Sequence, residues 1–181
     1  MTLHEFLTEW NSDAAEVLVH TSGSTGQPKP LRVSKQRMAA SARLTCQFLG
    51  LQQGDSALLC LPLDYIAGKM MVVRALTCGL HLTAVRPSGH PLKDLAPPAA
   101  PFALAAMVPL QVYNALQTER ELAALRTIRN LLVGGGGVPP AVEAALRAFP
   151  NAVWSTYGMT ETLSHVALRR LSGPEASACY K

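Results

Sequence analysis

Ala57-Leu58-Leu59-Cys60-Leu61 is apolar at every position. A short run of that kind is a strand with both faces covered, which favours a parallel or mixed sheet with helices above and below over an antiparallel sheet with one wet face. The neighbouring sequence supplies those helices. Met38, Ala42, Thr45, Cys46 and Leu49 fall at helical spacing, with Lys35, Arg37, Ser41, Arg43 and Gln47 elsewhere around the wheel. Gly50 suits a left-handed cap there, with Leu51 folding back onto the last turn.

The same alternation runs along the chain. Leu3 to Trp10 reads as a short amphipathic helix, and Glu16 to His20 and Leu31 to Ser34 as strands. A mostly apolar helix from about Gly68 to Cys78, capped by Gly79, precedes a strand at Leu80 to Val85. Five prolines between Pro87 and Pro101 exclude a regular helix or central strand over most of that stretch. Phe102 to Val108 reads as a strand, followed by a helix opened by Pro109 with Leu110, Tyr113 and Leu116 on one face. Ile128 to Val133 is a strand, and Pro139-Pro140 opens a helix whose face is Val142, Ala145, Leu146 and Phe149. Ala152 to Thr156 is the last strong strand. Leu171-Ser172-Gly173-Pro174 reads as a loop, and nothing after Thr162 resembles a further domain. A layered α/β fold with a parallel or mixed sheet is the expectation.

Three unusual loops follow strand ends, where open α/β sheets border a ligand crevice. The first is Thr21-Ser22-Gly23-Ser24-Thr25-Gly26-Gln27-Pro28-Lys29-Pro30. Its glycines let main-chain N–H groups approach an anion, and its hydroxyls and ammonium complete an oxyanion shell. A flexible linker does not usually carry Pro-Lys-Pro or lie between two strands. A Walker loop requires its lysine directly after the last glycine and a helix behind it, whereas Lys29 follows Gly26 by three residues and leads into a strand. Neither a dinucleotide Gly-x-Gly-x-x-Gly fingerprint nor a Gly-x-Ser-x-Gly elbow is present. The stretch reads as a cradle for phosphate carried on a hairpin.

The second loop, Gly134-Gly135-Gly136-Gly137, lets a flat ligand lie against bare backbone, or is a loose strand-to-helix turn. The third is Tyr157-Gly158-Met159-Thr160-Glu161-Thr162. Tyr157 can stack on a base, Thr160 can bond a phosphate oxygen and Glu161 can hold Mg²⁺, though Thr160 and Glu161 equally suit the first turn of a helix. Lys69 and Arg74, in a nearly apolar helix behind Tyr65 and Gly68, either meet a carboxylate substrate or snorkel to solvent. His20, His81 and His165 lack metal-ligand spacing; His165 stands out only for its closeness to Glu161.

Composition narrows the partners. With 181 residues, 49% hydrophobic and 15% charged, the chain can bury a substantial core. A net charge of +4 without a dense Lys/Arg block suits an anionic small molecule and no nucleic acid. Cys46, Cys60, Cys78 and Cys179 are too widely separated for a zinc site or a small disulfide scaffold. Glu5, Glu9 and Asp13 leave no room for a signal peptide, and no apolar run is long enough to span a membrane. A cytoplasmic protein is expected, with a homodimer left open.

Thr21 to Lys29 resembles the phosphate-binding motif Thr-Ser-Gly-Ser-Thr-Gly-x-Pro-Lys of the adenylate-forming enzymes, a family that includes acyl-CoA synthetases, peptide-synthetase adenylation domains and luciferase. Ser155 to Thr162 resembles its Tyr-Gly-x-Thr-Glu motif, and the order of the motifs with the Gly134 to Gly136 turn between them also fits. Within the family, the short N-terminus, Leu61-Pro62-Leu63, Gly-Met-Thr-Glu-Thr and Ser164-His165 are most similar to the o-succinylbenzoate-CoA ligases of menaquinone biosynthesis. Many relatives carry His where Tyr65 stands.

The resemblance implies a two-step reaction. A carboxylate attacks the α-phosphorus of ATP with Mg²⁺, and CoA thiolate then displaces AMP. It gives catalytic roles to Lys29, Thr160 and Glu161. It assigns Thr21, Ser22, Gly23, Ser24, Thr25, Gly26 and Lys29 to the β- and γ-phosphates, Thr160 to the α-phosphate, Glu161 to the metal, and Gly134, Gly135, Gly136 and Tyr157 to the adenine, with Gly158 also among the nucleotide-binding residues. Tyr65, Gly68, Lys69 and His165 fall to the aromatic or other carboxylic acid. It also implies that residues 1–181 are part of the large N-terminal domain, without the small C-terminal lid domain. Little adenylating activity is then expected of the chain by itself, and a non-catalytic or vestigial nucleotide-binding module is the alternative.

Overall fold

The computed structural model describes residues 1–21, 29–95 and 101–181. Two sheets organise them. In the first, β1 (Glu16–His20) pairs antiparallel with β2 (Pro30–Ser34), from Glu16 opposite Ser34 to His20 opposite Pro30. The second is six-stranded and holds β3 (Ser56–Leu59), β4 (His81–Ala84), β5 (Leu104–Met107), β6 (Asn130–Val133), β7 (Ala152–Gly158) and β8 (His165–Arg170). Its spatial order is β4-β3-β5-β6-β7-β8. The first five strands are parallel and β8 runs antiparallel to β7.

The apolar runs are covered on both faces, as their composition requires. Ala57, Leu59, Leu104 and Leu132 point into one cluster, made with Phe6, Val17, Val33, Met38 and Met71. That cluster joins the sheet to α1 (Leu3–Asn11), the β1–β2 hairpin, α2 (Lys35–Phe48) and α3 (Ile66–Cys78). Leu58, Cys60, Ala105, Leu131, Val133 and Val153 point the other way. They meet residues of α4 (Pro109–Ala115), α5 (Glu119–Thr127) and α6 (Pro140–Leu146). Alternate residues of one strand thus feed opposite layers, each fully buried leucine contributing roughly 1.5–3 kcal/mol.

The helix ends follow local chemistry. Thr2 and Glu5 form a capping box at the start of α1. Gly50 has φ +62°, its N–H donates to the Gln47 carbonyl at 3.1 Å, and Leu51 N–H closes onto Cys46 O at 2.9 Å. This is the cap expected from the sequence.

Three elements differ from the sequence reading. On α4 the buried residues are Gln111, Val112 and Ala115, while Leu110 and Tyr113 are exposed. The helix is turned because Gln111 is fully used: its Nε2 donates to Cys60 O at 3.2 Å and Ser88 O at 2.8 Å, and its Oε1 accepts from Val108 N–H at 3.1 Å. A polar residue that satisfies three backbone groups can occupy a core position. Helix α5 and strand β8 were both unanticipated. In β8 only Leu168 is buried, so it has the weak pattern of an edge strand.

Candidate active site

Parallel strands deliver their carboxyl ends to a single edge, so the loops leaving β6 and β7, adjacent strands, emerge side by side. Gly134 directly follows β6 and its N–H donates to Met107 O at 3.1 Å. A Cβ at Gly134 would run into Thr156 Oγ1, so bare backbone at this point lets the β6 and β7 exits pack closely. Gly135 adopts φ +80°, which also favours glycine.

The hairpin reaches the same edge by a different route. His20, the last residue of β1, forms a parallel bridge with Tyr65, in the segment between β3 and α3. At the hairpin mouth Thr21 N–H donates to Lys29 O and Lys29 N–H donates to Thr21 Oγ1, both at 3.0 Å. The Thr21 hydroxyl is therefore used to fix the backbone from which the Lys29 side chain, which is exposed, departs. Ser22, Gly23, Ser24, Thr25 and Gly26 lie outside the described residues.

Beyond β7 the chain reverses sharply. Tyr157 is more than half exposed, Thr160 is buried and Glu161 is exposed on a single 3₁₀ turn, Thr160–Thr162. The helix offered by the sequence is thus one turn long and leads into β8. Leu163 closes it at φ +69°, ψ −32°, the positive φ found at no other non-glycine residue among those described. Such a conformation costs about 1–3 kcal/mol and persists only where the surroundings impose it. Gly158 faces the returning strand, and a Cβ there would meet Ser164 O and sit 2.6 Å from His165 Cα. Glycine is the residue this reversal allows. Among the described residues Glu161 has no cationic partner and no three metal-ligating side chains cluster. A lone carboxylate fits Mg²⁺ held chiefly by phosphate and water oxygens.

Lys69 and Arg74 do not snorkel; both are buried. The Lys69 ammonium lies 2.9 Å from Met1 Sδ, 3.7 Å from Glu9 Oε2 and 4.7 Å from the centre of the Phe6 ring, so its partners belong to the N-terminal segment and α1. Burial lowers its pKa and Glu9 opposes that shift. Gly68 has a packing reason of its own, since a Cβ would collide with Pro62 O and approach Leu61 O at 3.0 Å. Arg74 is different. Its Nη2 donates to Ser164 Oγ at 2.7 Å and Nη1 lies 3.8 Å from Met71 Sδ, while Nε is buried without a partner among the described residues. No carboxylate pairs with it among the described residues, and the remaining positions contain no Asp or Glu. Burial pushes the guanidinium down to about 10, which keeps it charged at neutral pH.

His165 sits over this group. Its Nε2 is 3.1 Å from Thr45 Oγ1 and its Nδ1 3.4 Å from Ser164 Oγ. Burial, reinforced by Arg74, lowers its pKa to about 4, so the ring is neutral.

Sequence reasoning missed the residues behind Tyr157. The Tyr180 ring centre lies 6.0 Å from that of Tyr157, and the Tyr180 hydroxyl is 2.7 Å from Ser155 Oγ. Arg169 stands 5.6 Å from the Tyr180 ring and grips Glu143 through both Nη atoms at 2.7 Å. The pairing raises the Arg169 pKa and lowers that of Glu143. Tyr180, Arg169 and Glu143 line an open cavity of about 610 Å³. No local signal in the sequence points to them, because the Arg169–Glu143 pair joins positions 26 residues apart.

A family model described as AMP-binding enzyme matches residues 5–179. The chain belongs to the AMP-binding enzyme family. Among the relatives of this chain, the 2-succinylbenzoate–CoA ligase of a Geobacillus species is 26% identical over 163 residues, 90% of this chain and 33% of that protein. The enzyme of that name from Enterococcus faecalis is 29% identical over 164 residues. The chain thus spans about a third of the length of these curated relatives. The crystal structure of an acyl-CoA synthetase (AMP-forming)/AMP-acid ligase II-like protein from Dyadobacter fermentans is 41% identical with a TM-score of 0.90, over 98% of this chain and 50% of that one. O-succinylbenzoate coenzyme A synthetase from Bacillus subtilis, solved with ATP and magnesium ion, is 26% identical with a TM-score of 0.69, over 88% of this chain and 33% of that one. The mixed α/β fold is that of the N-terminal domain of adenylate-forming enzymes.

Proposed function

We propose that this chain provides the nucleotide-holding part of an ATP-dependent acid–CoA ligase, with o-succinylbenzoate or a similar aromatic acid as substrate. The observation that carries the reading is the convergence of three loops on the carboxyl edge of one sheet: the Thr21/Lys29 hairpin mouth beside Tyr65, the glycine turn after β6 and the Thr160–Glu161 turn after β7.

In the first step a carboxylate oxygen bonds to the α-phosphorus of ATP and the bond to the β-phosphate oxygen breaks, releasing pyrophosphate. In the second the CoA thiolate bonds to the acyl carbon and AMP leaves. Lys29 neutralises charge on the departing β- and γ-phosphates, with the Thr21 hydroxyl and the hydroxyls and amides of residues 22–26 donating to their oxygens; Thr160 orients the α-phosphate and Glu161 would hold Mg²⁺. Tyr157, Gly158 and Gly134 to Gly136 receive the adenine. Catalysis of this kind is chiefly positioning and charge neutralisation.

Tyr65 and His165 face the acid. Lys69 is assigned to holding α1 instead. Arg74, whose Nε finds no partner among the described residues, supplies the positive charge that a second carboxylate on the acid needs, because a buried cation without a counter-ion is stabilised by an incoming anion. Cytoplasm, where ATP and CoA are both available, is the setting this reading carries, and the four unbridged cysteines fit it.

Calorimetric titration with Mg-ATP tests the reading. Lys29→Ala and Glu161→Ala should each weaken binding by roughly 1.5–3 kcal/mol, about tenfold or more, as loss of a charge-assisted contact does. Unchanged affinity in both variants would show that these loops do not share one nucleotide.

A further inference from the structure

The turn carrying Thr160 and Glu161 is strained, and a specific set of hydrogen bonds surrounds it. Thr162 Oγ1 accepts from Met159 N–H at 3.0 Å and lies 2.9 Å from Met159 O and 2.7 Å from Ser164 O. It therefore ties the entry of the turn to its exit. Ser164, at that exit, is in turn held by Arg74 from α3 through the 2.7 Å bond to its Oγ. Inside a buried, low-dielectric setting a hydrogen bond from a charged donor is stronger and more directional than one between neutral groups. Because α3 is packed into the main core along most of its length, its position is fixed independently of the turn.

We propose that Arg74, Ser164 and Thr162 form a strut that positions the Thr160–Glu161 turn for the nucleotide, with Ser164 and Thr162 as positioning residues. This rests on the nucleotide-holding role proposed above. The strut accounts for three features at once. Leu163 is kept at positive φ because the residues on both sides of it are anchored. Gly158 is required because Ser164, held from α3, lies where a Cβ would go. Arg74 is retained in the core without a carboxylate because a hydroxyl from the turn uses its Nη2, leaving Nε for substrate.

Amide hydrogen exchange and Mg-ATP titration on the 181-residue chain test it together. Ser164→Ala should speed exchange at the Thr162 and Leu163 amides, which donate to Met159 O and Thr160 O, by about tenfold or more, and weaken Mg-ATP by a similar factor. The urea midpoint should fall as well, because Arg74 Nη2 loses its partner, while the chain stays folded. Ser164→Thr, which keeps the hydroxyl, should restore exchange and affinity. Thr162→Val removes the second link at constant shape and should act in the same direction, which keeps the test open if one variant folds poorly. Unchanged exchange at these amides in both Ser164→Ala and Thr162→Val overturns the strut. Faster exchange with undiminished Mg-ATP affinity overturns its link to the nucleotide. A wild-type chain that binds no Mg-ATP, with exchange still responding, overturns the functional reading and leaves the structural strut standing.

Discussion

At the scale of single residues, His165 makes the fold sensitive to acid. Its pKa lies near 4 in the fold against an ordinary value of 6.5, so between these limits the unfolded chain binds the proton that the folded chain refuses. Stability from this source is complete above pH 6.5 and falls as pH drops toward 4, by up to ~3 kcal/mol. Urea midpoints at pH 7.5 and 5 should therefore differ, and His165→Gln should shrink the difference. Gly68→Ala tests the close approach at the start of α3. Its Cβ meets backbone rather than a movable side chain, so a loss of about 2–4 kcal/mol is expected by urea denaturation. Lys69→Ala tests the packing role, since loss of the contacts to Met1, Phe6 and Glu9 should lower stability by about 2 kcal/mol in urea denaturation.

At the scale of elements, legibility followed the strength of local signals. The double-sided strands, the Gly50 cap and the hairpin either side of the cradle were readable because apolar runs and turn residues report on their own neighbourhood. The partners of Lys69, 60 residues away on α1, were not readable, because periodicity records which face is buried and not what meets it. Strand β8 was invisible for a related reason: His165 to Arg170 has one buried residue and two arginines, and only its antiparallel register with β7 gives it regular structure. Helix α4 misled because Leu110 and Tyr113 look like a core face, whereas Gln111 gains more from three buried backbone partners. Gln111→Leu tests that account. It leaves Cys60 O, Ser88 O and Val108 N–H to find other partners, and should cost about 2–3 kcal/mol despite adding apolar surface. Of the candidate site, the glycine turn and the Thr160–Glu161 turn were legible as motifs; Arg74, Ser164 and Tyr180 were not tied to them, since their contacts exist only after folding.

At the scale of the whole molecule, two apolar clusters on opposite faces of one sheet set the position of every loop at the carboxyl edge. Leu58→Ala and Leu104→Ala therefore probe different layers through adjacent strands, and each should lower stability by about 2–5 kcal/mol. Sheet topology also bears on the order in which the chain assembles. Every pairing among β3 to β7 joins segments separated by a crossover, and such distant contacts form slowly. The antiparallel pairs β1–β2 and β7–β8 are the local ones, joined by short connections. Two of the three candidate nucleotide-binding loops, the phosphate cradle and the Thr160–Glu161 turn, fall between the strands of those two pairs, while the glycine turn follows β6. The segments assigned to the phosphates and the metal are then the earliest to acquire shape during folding, and the central parallel sheet, with the glycine turn assigned to the adenine, is the last.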